Sequence, residues 1–452
     1  MENKLPGNIQ KYCVIGIVLI TSLILITHMA PEALLTLTGT PLSERFQIFP
    51  RQVDDSMKVL SDTSGSIGKL VMNIPREERD QIVPVLRDFL EQLDPRIDLT
   101  FSCSDEYSVS ALMHCLQTGR EHVPWNTEVV VTGFDLTPWA RDRRIARSGL
   151  QGSERSSLVP PAKDWYDINR RNEIKLPFIL EDLKIAPEAT PLPFILDGGN
   201  LVTDADYAFI GGNNIALNRN LIPKAQDLKR MLALYLGKKV IHVFARKQQV
   251  PWEHIDMYVT PLAGKKIMVG SPALAQEIFA QVSENHPIVS EKFLKTSFSK
   301  ERTQLFDDVA IQLGKLGYEV IRVPVVPHYT DHWMITYNNV LMDFRDYLSV
   351  VYLPVFGIKS LDRFAENVYL DAGFEVRKVN LYTLYRHGGT LRCFANVTKR
   401  IPNSGSIPTT ALNDETEINI HRPQPWKLQR VMSNFYQPGD EDAGESVRSI
   451  NQ

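Results

Sequence analysis

The sequence has little net charge and no long basic run, which argues against functions that need a strongly basic surface. Its formal net charge is −3, and it contains no run of lysine and arginine that could follow a phosphate backbone. Nucleic-acid binding is therefore not expected. The composition, 43% hydrophobic and 23% charged, is that of a globular protein with enough apolar material for a large core.

Cysteine is also scarce, with four residues in 452. Cys13 lies in an apolar segment near the start of the chain. Cys103 and Cys115 are twelve residues apart, and they either form a disulfide in an oxidising compartment or are two buried thiols. Cys393 has no partner in either case, which makes it a candidate reactive thiol.

The longest segment without charge is near the N-terminus. Residues 12–29 contain no aspartate, glutamate, lysine or arginine. This length is close to that of the hydrophobic region of a signal peptide and is at the lower limit for a membrane span. We therefore expect residues 1–30 to be a signal peptide or a membrane anchor. The protein would be exported, either secreted or periplasmic if the segment is cleaved, or membrane-anchored through residues 12–29 if it is not.

The rest of the chain divides into three parts by composition. Residues 31–70 are expected to be a linker or N-terminal extension, and residues 71–404 the folded α/β body. Residues 405–452 are polar, rich in turn-forming residues and acidic towards the end, which predicts a mostly disordered tail.

Within the body, a unit of strand, strand, helix and strand recurs. Two strands are predicted at Phe194–Val202 and Tyr207–Ile210, then a helix that stops at Gly237, then a strand at Lys239–Phe244. The pattern restarts with a predicted hairpin at Ile255–Val269 and again at Trp333–Asp343. Its landmarks are Trp139, Asp197, His254, Tyr337 and Gly388, with gaps of 58, 57, 83 and 51 residues. Such near-regular spacing predicts a repeat architecture closed around an axis.

Four short segments carry reactive side chains. They are Trp139-Ala-Arg141-Asp142 at the end of a strand, Asp197-Gly198-Gly199-Asn200 in a turn, Glu253-His254-Ile255-Asp256 at the start of a strand, and His387-Gly-Gly followed by Cys393. Strand alternation would place His254 and Asp256 on one face. Each segment alone also has a structural explanation, respectively a surface ion pair, a plain turn, a packed histidine and a buried thiol.

A metal site has weaker support. His328, Asp331 and His332 form a dense cluster of potential ligands, but no predicted helix holds them in a ligating geometry. The sequence therefore predicts chemistry without a metal.

Taken in chain order, the four segments resemble the guanidino-group-modifying (pentein) superfamily. The resemblance covers residues 125–402. Within the superfamily, the chain resembles the arginine and agmatine deiminases and the catalytic domain of protein-arginine deiminases. The last of these is most similar around Tyr385–Arg400. The resemblance implies a propeller of about five ββαβ-type units around a pseudo-fivefold axis.

The resemblance also implies roles for individual residues. Asp142 and Asp256 would hold the substrate guanidinium, a planar cation whose paired N–H groups fit carboxylates. Cys393 would be the nucleophile and His254 the proton carrier. Trp139 and Asn200 would complete the substrate site. No metal or cofactor is implied, and the sequence does not show whether calcium regulates the protein.

Two departures leave the function partly open. Arg392 stands before the cysteine where relatives usually have histidine, and Arg143-Arg144 follow Asp142 where agmatine-specific enzymes tend to have Gly-Pro. The expected partner is a small guanidino compound, such as arginine or agmatine, or a peptidyl arginine. The alternatives are an amidinotransferase and a non-catalytic, membrane-tethered binding protein.

Overall fold

The computed structural model describes residues 56–118, 126–149, 154–161, 168–281, 298–328, 333–345, 347–403 and 417–423. Within these ranges, no helix is both long and apolar enough to cross a membrane. The run at 12–29 lies outside them, so the signal peptide, the anchor and the exported location stay predictions. Residues 56–70, within the expected linker, are described from Ser56 onwards and contain β-strand segments.

Strands make up most of the body. In chain order they are β1 (Lys58–Val59), β2 (Ser66–Ile74), β3 (Asp98–Cys103), β4 (Asn126–Val131), β5 (Ile145–Ser148), β6 (Glu154–Val159), β7 (Glu188–Pro191), β8 (Leu201–Thr203), β9 (Tyr207–Gly211), β10 (Lys239–Val243), β11 (Val259–Leu262), β12 (Lys266–Ser271), β13 (Glu319–Pro327), β14 (Met334–Thr336), β15 (Leu341–Phe344), β16 (Ser349–Val355), β17 (Glu375–Asn380), β18 (Ala395–Ile401) and β19 (Glu417–His421).

Helices connect the strands. They are α1 (Arg79–Gln92), α2 (Glu106–Thr118), α3 (Ile168–Asp182), α4 (Asn213–Leu217), α5 (Ala225–Leu236), α6 (Pro272–Gln281), α7 (Lys300–Lys315), α8 (Lys359–Asp371) and α9 (Leu391–Phe394). Short 3₁₀ turns lie at Gly198–Asn200, Arg246–Gln248, Ile255–Met257 and Tyr385–His387.

The described strands form five sheets, and each sheet contains a copy of the same structural unit. In each unit an antiparallel strand pair is followed by a helical connection and by a third strand parallel to the second. The units are β5–β6–α3–β7, β8–β9–α5–β10, β11–β12–α6–α7–β13, β15–β16–α8–β17 and β18–β2–α1–β3. The last unit pairs a late strand with an early one, so the two ends of the body belong to the same sheet. The recurring unit predicted from the sequence is therefore present, and the fold is mixed α/β.

Helix α8 shows why the periodic segments fold as predicted. Leu361, Ala365 and Tyr369 are buried and spaced four residues apart, so they lie along one side of the helix. Gly373 has a φ of +90° and follows the helix, as a left-handed stop requires. The helix begins at Lys359, and Ile358 is at the N-cap position.

Three predicted strand segments are instead interrupted or rearranged. The strand at Phe194–Val202 contains a 3₁₀ turn, and the hairpin at Ile255–Val269 has its strands only at Val259–Leu262 and Lys266–Ser271. The two strands within Trp333–Asp343 belong to different sheets, because β14 pairs with β13 and β15 with β16. The segment from His387 forms helical turns before β18. Buried turns contain the same apolar residues as strands, so composition does not separate them.

The expected tail also contains one structured segment. Strand β19 pairs in parallel with β4 at the edge of a sheet. Ile418 packs against the main core, which explains why this short part of residues 405–452 is ordered. Residues 404–416 and 424–452 lie outside the described ranges.

The main core joins residues from four of the five sheets, whereas the sheet of β5, β6 and β7 packs against α3 in a separate small cluster. Cys103 and Cys115 are both buried and free, so the structure has the two-thiol alternative. Burial raises the pKa of both thiols, most of all at Cys103. This favours the protonated, unreactive form.

Two glycines with left-handed backbone allow a matched test of packing. Gly237 has a φ of +63°, and a Cβ there would lie 2.3 Å from the carbonyl oxygen of Met57. Gly264 has a φ of +73° with no atom within 4 Å of such a Cβ. Gly264→Ala should lower the free energy of unfolding by about 1–2 kcal/mol through backbone strain alone. Gly237→Ala should lower it by about 2–4 kcal/mol because a clash is added. Urea unfolding measures both, and equal losses would contradict this assignment.

Candidate active site

The candidate residues lie in equivalent places in the fold. Each is in the segment just before the first strand of a unit. Asp142 precedes β5, Asp197 precedes β8, His254 precedes β11, Asn339 precedes β15 and Cys393 precedes β18. The repeated unit therefore supplies one polar position from each of its five copies.

Backbone hydrogen bonds join the first of these segments to its neighbours on both sides. The amide of Arg141 donates to the carbonyl of Cys393 at 3.2 Å. The amide of Gly198 donates to the carbonyl of Asp142 at 3.0 Å. The segments before β5, β8 and β18 are thus held in direct contact.

The remaining contacts complete the circle. His254 Nε2 lies 3.3 Å from Asp197 Oδ2, and Asn339 Nδ2 donates to the carbonyl of Asp256 at 3.4 Å. The amide of Arg392 donates to Asn339 Oδ1 at 2.8 Å. Each of the five segments is therefore bonded to two others, and this ring fixes the geometry of the site.

Arg141 lies buried inside the ring. Its Nε donates to the carbonyl of Gly198 at 3.1 Å, its Nη1 to Asn396 Oδ1 at 3.1 Å and its Nη2 to the carbonyl of Leu201 at 3.4 Å. Burial, together with the nearby charge of Arg392, lowers the pKa of Arg141 to about 10. This arginine is a structural cation that fixes neighbouring units to one another.

A cleft of about 310 Å³ opens over the ring. Its walls are formed by Trp139, Asp142, Arg170, Asp197, Trp252, Glu253, His254, His387, Gly388, Gly389 and Cys393. Four of the six residues predicted from sequence thus meet here: Trp139, Asp142, His254 and Cys393. Asp256 and Asn200 do not line this cleft.

Cys393 lies on α9, with 4% of its surface exposed. Asn339 holds it at two points, since its Nδ2 donates to Sγ at 3.4 Å and its Oδ1 accepts the Cys393 amide at 3.2 Å. Burial, reinforced by the charges of Asp256 and Asp142, raises the pKa of the Cys393 thiol well above its usual value. The thiolate therefore needs a positive charge beside it.

His254 lies between two carboxylates. Its Nδ1 is 3.7 Å from Asp142 Oδ1, and its Nε2 faces Asp197. Burial opposes the charged ring, but Asp142 and the hydrogen bond to Asp197 outweigh it and raise the pKa of His254 to about 9. The imidazole is therefore a cation at neutral pH and can donate a proton.

Asp142 is 2% exposed, and its two carboxylate oxygens have different surroundings. Oδ2 accepts a hydrogen bond from Arg170 Nη2 at 2.8 Å. Oδ1 has no hydrogen-bond partner among the described residues, although it lies close to His254. Oδ1 is itself buried, so this side of the carboxylate faces His254 and not open solvent.

Asp256 is fully buried and bonded away from the cleft. Its Oδ2 accepts from Arg392 Nη1 at 2.9 Å, and Arg392 Nη2 also reaches both oxygens of Asp62 at 3.0 Å. Burial raises the pKa of Asp256, although Arg392 opposes the change. The predicted common strand face of His254 and Asp256 is wrong, because residues 255–257 form a 3₁₀ turn. The role of Asp256 in binding substrate stays a prediction.

The glycine pair before β8 is required by close approach. A Cβ on Gly198 would lie 2.0 Å from the Arg141 carbonyl oxygen, and one on Gly199 would lie 2.5 Å from His254 Nδ1. Asn200, the next residue, donates through Nδ2 to Asn213 Oδ1 at 3.0 Å. Its contacts in this structure are within the protein, and its substrate-binding role stays a prediction.

Several residues of the site were not predicted from the sequence. Asp197 was recognised only as part of a turn, and Asn339 was not recognised at all, although it lies near the repeat landmark Tyr337. Arg170 and Glu173, three residues apart on α3, also reach the site, with Arg170 Nη1 donating to Glu173 Oε2 at 2.9 Å. Their spacing of three residues predicts that they lie on one face of a helix. No local feature of the sequence predicts that this face contacts Asp142.

No group of three potential ligands that could hold a metal ion occurs among the described histidines, cysteines and acids. Of the cluster at 328–332, only His328 is described, and its ring stacks on Trp333 with centroids 4.5 Å apart. The other members lie outside the described residues.

No protein-family model and no curated protein sequence matches the chain. Solved structures do match. Agmatine deiminase from C. jejuni is 15% identical, with a TM-score of 0.56 over 77% of this chain and 97% of its own. A cysteine-to-serine variant of the C. jejuni enzyme with substrate bound gives 0.57 at the same identity and coverage. Agmatine deiminase from Enterococcus faecalis is 14% identical, with a TM-score of 0.51 over 77% and 97%.

The chain has the fold of the agmatine deiminases. The resemblance predicted from the four motifs is therefore confirmed at the level of the fold. At these identities the likeness does not extend to the reaction or the substrate.

The charge on His254 can be tested without knowing a ligand. Asp197→Asn should lower the pKa of His254 from about 9 by roughly 1–2 units, because the neutral amide removes a negative charge and a charged hydrogen bond. Titration of the histidine ring protons by NMR measures it. Asp227→Asn, an exposed acid on α5, is the matched control and should leave the value unchanged. An unchanged pKa in Asp197→Asn would show that another group sets the charge.

Proposed function

We propose that the protein hydrolyses a guanidino group through Cys393, without a metal, releasing ammonia and leaving a ureido product. The observation that carries the proposal is that Cys393, His254 and Asp142, each from a different unit, line one cleft. A thiol, a cationic imidazole and a buried carboxylate with an unbonded oxygen are the groups this chemistry needs. The fold shared with agmatine deiminases supports the proposal.

We further propose that the five units are arranged around a pseudo-fivefold axis. The support is the shared strand order of the five sheets and the ring of contacts between equivalent segments. An axial arrangement explains why the candidate residues are close together although they are far apart in the chain.

The substrate class is a small guanidino compound or the side chain of an arginine. Asp142 accepts the N–H groups of the planar cation. Trp139 and Trp252 line the same cleft and offer aromatic faces to a cation. The C. jejuni variant structure has its substrate bound, which places a ligand in a protein of this fold.

The first step forms a covalent intermediate. The positive charge of the bound guanidinium lowers the pKa of the Cys393 thiol, which releases its proton to solvent, and Sγ attacks the central carbon. The C–N bond to one terminal nitrogen breaks, and His254 gives its proton to that nitrogen, which leaves as ammonia. The product on the enzyme is a thiouronium attached to Cys393.

The second step consumes water. Neutral His254 takes a proton from a water molecule, whose oxygen attacks the thiouronium carbon. The carbon–sulfur bond then breaks and returns the electron pair to Sγ. The protonated ureido group gives its extra proton to the thiolate, which restores the thiol. The sum is one guanidinium and one water converted into one ureido group and one ammonium ion.

The buried pair of Asp256 and Arg392 has a positioning role in this proposal. Arg392 precedes Cys393 on α9 and is held at both ends, by Asp256 and by Asp62. The pair therefore fixes the turn that carries the thiol.

A second candidate is a guanidino-binding protein without turnover. The observation that favours it is that both predicted guanidinium acceptors, Asp142 and Asp256, already bind an arginine of the chain. Turnover assays separate the two candidates.

The purified protein should release ammonia and a ureido product from at least one of arginine, agmatine and an arginine-containing peptide. Cys393→Ser should reduce the rate by at least about 1,000-fold, because the hydroxyl is a much weaker nucleophile. His254→Asn should reduce it by about 100- to 10,000-fold. Cys103→Ser, which alters a buried thiol outside the cleft, is the control and should retain activity. Full activity in Cys393→Ser would exclude the mechanism.

The pH dependence follows from the two raised pKa values. The attacking form has a thiolate beside a protonated His254, and burial keeps the thiol protonated at neutral pH. We therefore expect kcat/KM to rise from pH 7 towards the pKa of His254, about 9, and then to level off or fall as the imidazole loses its proton. Steady-state rates in overlapping buffers measure this. A maximum below pH 7 would contradict the assignment.

A further inference from the structure

Arg170 places a guanidinium of the chain itself at the predicted substrate site. Its Nη2 donates to Asp142 Oδ2 at 2.8 Å, and its side chain, 16% exposed, forms part of the cleft wall. The group that Asp142 is proposed to recognise in a substrate is thus chemically the same as the group that it already binds.

This contact leaves Asp142 with half of its binding capacity. A guanidinium binds a carboxylate most strongly through two parallel N–H···O bonds, one to each oxygen. With Arg170 on Oδ2, only Oδ1 is without a hydrogen-bond partner among the described residues. Because Oδ1 is also buried beside His254, two-point binding of a substrate at Asp142 is blocked while Arg170 is in place.

The charges around the cleft lead to the same conclusion. Asp142, Asp197 and Glu173 are the acids that contact Arg143, Arg170 and His254. Three cations, with His254 protonated, therefore balance three anions. Glu253, which lines the same cleft, adds one further acidic side chain. Loss of the charge of Arg170 therefore makes the site one unit more negative and more favourable to a substrate cation.

The second acid of the predicted clamp differs in one respect. Asp256 is bound by Arg392, whose side chain is 7% exposed and is also held by Asp62. That arginine is enclosed on both sides. Arg170, in contrast, is at the cleft surface and keeps a second anchor, because its Nη1 donates to Glu173 Oε2 at 2.9 Å. It can leave Asp142 and stay attached to Glu173.

We propose that Arg170 is an internal competitor for the substrate cation and must leave Asp142 before a guanidino group binds to both carboxylate oxygens. The inference rests on the proposed function, since it concerns the same site. It makes Arg170 a specificity-determining residue. A guanidinium ion with no other groups would replace the Arg170 contact by an equivalent one and would gain little binding free energy. Substrates that make further contacts in the cleft are therefore favoured.

The test measures binding in protein that cannot turn over. Methylguanidinium is titrated into Cys393→Ala protein with Arg170 intact and into Cys393→Ala/Arg170→Gln, using calorimetry. The glutamine variant should bind at least about fivefold more tightly, because the competitor is removed. Neutral methylurea should show no such gain.

A matched control separates local competition from net charge. Arg230→Gln in the Cys393→Ala background removes an exposed arginine of α5 and should change the Kd of methylguanidinium by less than about twofold. Equal or weaker binding by the Arg170→Gln protein, or no binding by it at all, overturns the proposal.

A second variant guards against misfolding, because Arg170→Gln leaves Glu173 with one fewer partner. Arg170→Gln/Glu173→Gln in the same background removes both charges and should also bind methylguanidinium more tightly. The outcome is independent of catalysis. If the wild-type protein releases no ammonia and yet Arg170→Gln tightens binding, the proposed hydrolysis fails and the competition stands. If the wild-type protein turns over and Arg170→Gln does not tighten binding, the hydrolysis stands and the competition fails.

Discussion

The buried guanidinium of Arg141 is the interaction on which the site depends. It donates to the carbonyls of Gly198 and Leu201 in one neighbouring unit and to the side chain of Asn396 in another. A buried cation that satisfies its donors on neutral oxygens is costly unless those oxygens are held in place. The hydrogen bonds of Arg141 therefore require three units to be held in a fixed arrangement. Asp142, which follows it, and Cys393, whose carbonyl accepts the Arg141 amide, are positioned by the same contacts.

Charge within the ring is arranged in two layers. The lower layer, made by Asp62, Arg392 and Asp256, is internally paired, with Asp256 fully buried and Arg392 7% exposed. The upper layer faces the cleft and contains His254, two carboxylates and Arg170. Breaking a buried pair leaves an uncompensated charge, whereas a pair at a cleft surface can exchange with a ligand or with water. This difference in exposure explains why we assign structure to Arg392 and exchange to Arg170, although each binds an acid of the predicted clamp.

The sequence predicted the elements whose signals are local. The predicted helix that stops at Gly237 is α5, whose apolar residues lie on one face and whose end at Gly237 has a positive φ. The repeat landmarks also predicted where the site segments lie. What could not be predicted is the conformation of those segments. The 3₁₀ turns at Gly198 and Ile255 lie where segments from different units meet. At Gly198, for example, an added Cβ would lie only 2.0 Å from the Arg141 carbonyl oxygen, so the close approach of that unit requires glycine. Arg170 reaches Asp142 through tertiary packing, for which neither sequence segment carries a signal.

Attack of Cys393 on a guanidino carbon would leave a covalent intermediate on the protein, and mass spectrometry can detect it. The protein is mixed with saturating agmatine, arginine or arginine peptide, quenched in acid within the first turnovers, digested and examined. For the substrate that is turned over, we expect the peptide containing Cys393 to gain the mass of the substrate less ammonia. The peptides containing Cys103 and Cys115 should be unchanged. Turnover with the adduct on another residue, or with Cys393 unmodified under conditions that trap the intermediate, would contradict the proposed role of Cys393.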